Sequence, residues 1–365
     1  MRLPWPARAG AWVVALALSA GCAGPLTGHS TSSAPAIKRV ALTKVEPRED
    51  AASITGPTTA VLADRRIGPV TDRPKQDLPT TARSAEGGGK DVRITDTSRV
   101  VAFDIAGSIT ATVWGLGFGE TLVGRDVAAN FPGTEQLPVV TRDGHSINVE
   151  AVLELEPTLV ITDGSIGPRD VVDQLRDAGV TLVYVDNDSS FAGAAELARD
   201  VATIYGAPAA GRQLAKRISD DVEATRAAVT RLRGDGPPLR MVFLYLRGSA
   251  GVYYILGKES GASDLIAGLD GHDVAAEQGW ADSVPMTDES LVAADPDLIL
   301  VMSDGIESVG GLDRLLADRP ALALTTAGRN RRFVDMSDSD ILSFGPRAAG
   351  VLDALARAVY APESL

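Results

Sequence analysis

Tyr245 and Arg247 are the residues of this 365-residue chain whose types and spacing point most directly at chemistry. Tyr245 lies near the end of an apolar run, Leu239-Arg-Met-Val-Phe-Leu-Tyr-Leu246, that reads as a strand. Side chains at i and i+2 of a strand leave the same face, and strand ends of an α/β sheet are where ligands bind. A free phenol has a pKa of about 10. A nearby cation lowers it, and a hard trivalent metal lowers it much further. Tyr245 is therefore a candidate ligand for ferric iron, with Arg247 stabilising the anion or meeting a carboxylate of the ligand. An edge tyrosine beside a solvent-facing arginine would leave the same trace. His145 is the counterpart in the first half of the chain. It stands in the Gly-containing turn Arg142-Asp-Gly-His-Ser146, just before a helix. A neutral imidazole suits iron; the competing reading is a loop histidine that binds nothing. The other histidines are His29 and His272, the latter in the surface turn Asp270-Gly-His-Asp273.

The elements that must position these residues occur twice. Glu150-Ala-Val-Leu-Glu-Leu-Glu-Pro157 precedes the strand Leu159-Val-Ile161, and Glu289-Ser-Leu-Val-Ala-Ala-Asp-Pro296 precedes Leu298-Ile-Leu-Val301. A unit repeated far apart implies two similar lobes, and two lobes make a cleft for a small molecule. Short strands alternate with helices throughout. Arg99–Phe103 reads as the first strand, Ser108 caps a helix through Trp114, and Pro346 opens a final helix to Tyr360. That alternation predicts parallel sheets covered by helices. Residues 207–232 carry one long helical pattern with Leu214, Ile218, Val222, Val229 and Leu232 on one stripe,. A single stiff helix between lobes predicts modest closure on the ligand.

Ahead of the lobes, Arg2 and Arg8 precede a short apolar core and Leu18-Ser19-Ala20-Gly21-Cys22, the only cysteine. That core is too short for a permanent membrane helix. The pattern resembles a bacterial lipobox, with residues 1–21 as signal peptide and Cys22 as the lipidation site. Residues 22–96 are rich in Thr, Ser, Ala, Pro and Gly with sparse large apolar residues, and read as a disordered, lipid-anchored tether. The domains then run 97–205 (N-terminal α/β lobe), 206–235 (connecting helix) and 236–365 (C-terminal α/β lobe). A formal charge of −13 disfavours nucleic acid and anionic lipid as partners,.

From about residue 98 onward the chain resembles the cluster of substrate-binding proteins that serve bacterial importers of cobalamin, ferric siderophores and haem. Leu122-Val-Gly-Arg125, the two Glu…Pro units and the bridging helix carry that resemblance. Thr141-Arg-Asp-Gly-His145 and Phe243-Leu-Tyr245-Leu-Arg247-Gly248 are similar to the haem-binding members of Gram-positive haem importers. The resemblance implies an α/β fold of two Rossmann-like lobes joined by one long rigid helix, the class III periplasmic-binding-protein fold. It implies that His145 and Tyr245 are the axial ligands of haem iron and that Arg247 supports the tyrosine. It further implies that Glu150 and Glu289, one per lobe, meet an ABC transporter permease dimer. Each carboxylate would also stabilise its helix start. The expected protein is a monomer outside the cytoplasmic membrane, held there through its lipid only. It carries haem as transported ligand and has no enzyme activity. The same fold with a ferric siderophore or corrinoid as cargo, and an envelope haem sensor or enzyme with no role in transport, are the competing expectations. Trp280, Met286, Tyr253 and Tyr254 would line a porphyrin face or belong to the core. Gly115-x-Gly117-x-Gly119 has the wrong third spacing for a dinucleotide loop and follows a helix. Arg247-Gly-Ser249-Ala-Gly251 lacks the first glycine of a nucleophile elbow.

Overall fold

The computed structural model describes residues 36–48, 50–142 and 146–365. The predicted export signal and lipidation site, Cys22, lie outside the described residues. Residues 36–96 are not the disordered tether their composition predicts. Thr58–Ala60 (β1) adds in parallel to the strand Phe333–Met336 at the far end of the chain. Thr80–Ser84 (β2) and Lys90–Ile94 (β3) form an antiparallel hairpin. Leu42, Ile54, Leu62, Ile67 and Ile94 are all buried. Arginines of the folded body donate to backbone carbonyls of this strap, Arg231 to Leu42 and Val45, Arg357 to Val40, and Arg332 to Gly56. Its Asp77 amide donates to the Gly206 carbonyl, and a Cβ on Gly206 (φ +61°) would lie 2.3 Å from the Asp77 oxygen. Low apolar content argues for disorder when a segment must build its own core. This one lies against cores built by the rest of the chain.

The first lobe runs Val100–Phe103 (β4), Ser108–Leu116 (α1), Leu122–Arg125 (β5), Thr141–Arg142 (β6), Ser146–Ile147 (β7), Val149–Glu154 (α2), Leu159–Thr162 (β8), Arg169–Asp177 (α3), Thr181–Tyr184 (β9) and Phe191–Ile204 (α4). Its main sheet has the order β5-β4-β8-β9, all parallel. β4 and β8 are buried at every position, as strands covered on both faces must be,. Ser108 does not cap α1. The N-cap is Gly107, and the Asp104 carboxylate accepts from the Ser108 and Ile109 amides instead.

Pro208–Arg233 (α5) follows, with proline at its first position and the predicted apolar stripe buried,. Its 26 residues at ~1.5 Å each make a rod of roughly 40 Å,. It packs on α4, where Gly211 allows close approach to Ala202, and on the last helix of the chain.

The second lobe runs Arg240–Arg247 (β10), Val252–Ile255 (β11), Ala262–Gly268 (α6), His272–Asp273 (β12), Val274–Glu277 (α7), Val284–Pro285 (β13), Asp288–Ala294 (α8), Leu298–Met302 (β14), Ser303–Ser308 (α9), Leu312–Asp318 (α10), Pro320–Leu324 (α11), Thr326–Asn330 (α12), Phe333–Met336 (β15), Asp338–Ile341 (α13) and Ala348–Tyr360 (α14). Its sheet has the order β1-β15-β14-β10-β11-β13, with β12 also on β10. The strap thus supplies an edge strand of the second lobe. His272 belongs to the short strand β12 rather than a free turn, and its Nε2 lies 3.2 Å from Glu277.

The repeat seen in sequence is also a repeat in conformation. Glu150 and Glu289 are each the second residue of their helices, α2 and α8. Each helix is followed by an acidic residue at positive φ, Glu156 (45°) and Asp295 (29°), directly before proline. Such a left-handed residue ends a helix, and the proline prevents its continuation.

Arg332 shows how the strap is held. It is buried, and it donates to Thr58 Oγ1 (3.1 Å), the Gly56 carbonyl (3.4 Å) and the Ala358 and Val359 carbonyls of α14 (2.8 and 2.7 Å). Burial lowers its pKa to about 10. Arg332→Ala should detach β1 and leave two helix-end carbonyls unpaired. The expected cost is about 3 kcal/mol in chemical denaturation.

Candidate functional site

The lobes meet through the loops that follow their parallel strands. The Phe191 amide, after β9, donates to Asp264 of α6 at 2.6 Å, and the Phe191 ring meets Phe344 edge-on at 5.3 Å. Arg347 lies over Phe131, which follows β5. At the same seam the strap's Arg65 donates to the Asn130 carbonyl of the first lobe and lies 3.3 Å from Asp340 of the second. Asp340 and Arg347, both buried, pair at 2.7 Å. The C-terminal ends of the strands are where a ligand of this fold would sit.

On the second lobe, β10 brings Tyr245 and Arg247 to one face, as their spacing predicted. The guanidinium carbon lies 4.5 Å from the Tyr245 ring centroid, a cation–π arrangement,. Arg247 Nη2 donates to Asp338 Oδ2 at 2.7 Å and to the Met302 sulfur at 3.4 Å, and Nη1 donates to the Leu246 carbonyl at 2.8 Å. Burial raises the Asp338 carboxyl above its ordinary value, and the facing Arg247 opposes that rise. Tyr254 pairs across β11 with Tyr245 and is 37 % exposed, so a second phenol flanks the first. Tyr253, Trp280 and Met286 belong instead to the second lobe's core.

On the first lobe, His145 lies outside the described residues. Its neighbours do not: β6 and β7 pair as Arg142 with Ser146, and Ser146 bridges to Gly167 after β8. Glu150 and Glu289 are both exposed. Sequence reading missed the apolar side chains at the strand ends. Ile105 after β4 and Val127 after β5 are 49 % and 48 % exposed. Single apolar residues in loops give no periodic trace, so only their exposure marks them. Among the described residues no group of three or more His, Cys, Asp or Glu could hold a bare metal ion. A polar pocket of about 460 Å³ opens at the ends of β8 and β9, lined by Asp163, Ser165, Arg169, Tyr184, Asn187 and Glu86 among others, all from the first lobe and the hairpin.

Two buried carboxylates shape the loops that hold out Ile105 and Val127. Asp104 accepts from the amides of Ala106, Ser108 and Ile109, and Asp126 from those of Ala129 and Asp104. Burial, then Asp126 and Asp163, push Asp104 well above the carboxylate range; burial raises Asp126 to about 7 against its backbone donors. A folded-state pKa above the unfolded value of about 4 gives stability that is full below that value. It is lost as pH rises through about 7. The melting temperature should therefore fall between pH 5 and pH 8, and Asp126→Asn should flatten that fall.

The periplasmic binding protein family model matches residues 105–339. A Bacillus subtilis protein, the uncharacterized ABC transporter substrate-binding lipoprotein YvrC, is 26% identical over 257 residues, 69% of this chain and 77% of its own length. The heme binding protein HmuT is 41% identical in its crystal structure, with a TM-score of 0.80, covering 86% of this chain and 99% of that one. The periplasmic heme-binding protein RhuT from Roseiflexus sp. RS-1, in apo form, is 36% identical with a TM-score of 0.66, covering 73% and 99%. With two α/β lobes, one long helix between them and this match over most of its length, the chain belongs to the periplasmic binding protein family.

Proposed function

We propose that this protein captures haem between its lobes and delivers it to an ABC transporter. His145 would bind the iron from the first lobe and Tyr245 from the second, with Arg247 beside the phenol. Ile105 and Val127 would cover the macrocycle. The observation that carries the reading is the Tyr245–Arg247–Asp338 group at the end of β10 in a chain similar to haem-binding proteins. HmuT structures exist with a histidine, a tyrosine and an arginine each replaced. The tyrosine and arginine lie two positions apart there, as Tyr245 and Arg247 do here. The histidine–tyrosine interval agrees with that of His145 and Tyr245 to within one residue. Each lobe gives iron one ligand, and haem supplies the four equatorial nitrogens itself, so no larger cluster of protein ligands is needed.

Lipidation at Cys22 would hold the protein on the outer face of the membrane, and Glu150 and Glu289 would meet the permease dimer. Similarity to a substrate-binding lipoprotein supports this. The deciding experiment is an absorbance titration of the apo protein with haemin. A saturable Soret band at one haem per chain is expected. A ferric siderophore bound in preference, with no Soret band, would replace haem as the cargo.

A further inference from the structure

Arg247 has a long side chain, and within its own strand only the Leu246 carbonyl, 2.8 Å from Nη1, holds the guanidinium. We propose that Asp338 is the positioning residue that fixes Arg247 over the Tyr245 ring and so sets how firmly the phenol side of the cleft holds haem iron. This rests on the haem reading above.

Both oxygens of the Asp338 carboxylate are in use. Oδ2 takes Arg247 Nη2 at 2.7 Å, and Oδ1 takes the Asp304 amide at the start of α9 at 3.0 Å. One orientation satisfies both donors, so the carboxylate is fixed independently of the cation it holds. Its short helix is fixed as well. Ser339 accepts from Arg65 at 3.3 Å, and Asp340 pairs with both Arg65 and Arg347. Asp338 therefore hangs from the seam between the lobes. A charge-assisted hydrogen bond is roughly twice as strong as a neutral one. It offsets the side-chain entropy that Arg247 loses by staying on the ring.

The test uses the full mature chain. Asp338→Asn keeps an oxygen for the Asp304 amide and removes the charge from Arg247. Haem transfer to apomyoglobin should be about tenfold faster than in the parent, since outer-shell partners of metal ligands are worth about 10–100-fold. The absorption spectrum should move to that of Arg247→Ala, and Asp338→Asn should add nothing in the Arg247→Ala background. Asp338→Glu, which keeps the charge one methylene away, should restore part of the effect and serves if the asparagine variant does not fold. Apo protein labelled at arginine gives a readout without haem. The Arg247 Nε–H resonance, identified by its loss in Arg247→Ala, should carry a ring-current shift that Asp338→Asn abolishes. Ser303→Ala breaks the hydroxyl's bond to Asp335 at the start of α9 and touches no part of Arg247, so it should change neither readout. Unchanged transfer and resonance in Asp338→Asn would overturn the proposal. So would additive effects with Arg247→Ala, or an equal effect of Ser303→Ala. If the parent binds no haem, the haem reading fails, and the apo resonance still decides whether Asp338 positions Arg247.

Discussion

Tyr245→Phe should lower haem affinity by on the order of 100-fold or more, about 2.7 kcal/mol, while leaving the fold intact. The substitution removes one oxygen and nothing else. The phenyl ring still packs against the large core and still lies under Arg247. No described residue hydrogen-bonds the hydroxyl, so its removal leaves no buried partner unsatisfied. The melting temperature should therefore stay within about one degree, since substitutions that break no named contact stay within about 0.5 kcal/mol. On the proposed coordination, what goes is an iron bond. With His145 left as the protein's one ligand, the iron's sixth position should turn to water or to a second imidazole, and the spectrum should change accordingly. A haemin titration against parent, Tyr245→Phe, His145→Ala and the double variant measures this. Unchanged affinity in the double variant would remove both residues from the site.

The second large effect separates capture from delivery. Glu150 and Glu289 sit at equivalent places on the two lobes, second in their helices and exposed. Their carboxylates lie one in each half of a pseudo-symmetric molecule, which fits a partner made of two like subunits. On the proposed docking, reversing both to lysine replaces attraction with repulsion at each permease contact, a penalty of several kcal/mol across an interface. Haem uptake by cells carrying the Glu150→Lys, Glu289→Lys protein should drop at least tenfold, and the purified protein should titrate with haemin as the parent does. Lysine near a helix start also loses a favourable dipole interaction, worth roughly 0.3–1 kcal/mol. That is too little to unfold either helix inside a packed lobe, so a small drop in melting temperature is expected alongside. Unchanged uptake would count against a transport role and for an envelope sensor or enzyme of the same fold.

What could be read in advance follows from how local each cause is. The long helix was legible because its apolar stripe repeats over many turns. Tyr245 and Arg247 were legible as a same-face pair because strand geometry fixes alternate side chains with no help from the fold. Asp338 was not. It lies 91 positions beyond Arg247, and only the sheet order β15-β14-β10 brings the two together. The capping of α1 by Asp104 was hidden by Ser108, a better cap by type but one residue too late. Residues 36–96 were misread for a deeper reason. Composition reports whether a stretch can fold alone, and these residues lie against cores built by the rest of the chain.

That last point bears on how the protein reaches its final state. Thr59 bonds a partner 276 positions later, and Arg48 one 315 positions later. A chain that emerges amino end first presents residues 40–60 early and can seat them only when almost everything else has emerged, whereas the β2–β3 hairpin meets β9 and α4 much sooner,. Until then residues 40–60 wait in water without the edge strand and core they join. Their scarcity of greasy side chains is what lets them wait without sticking to their neighbours.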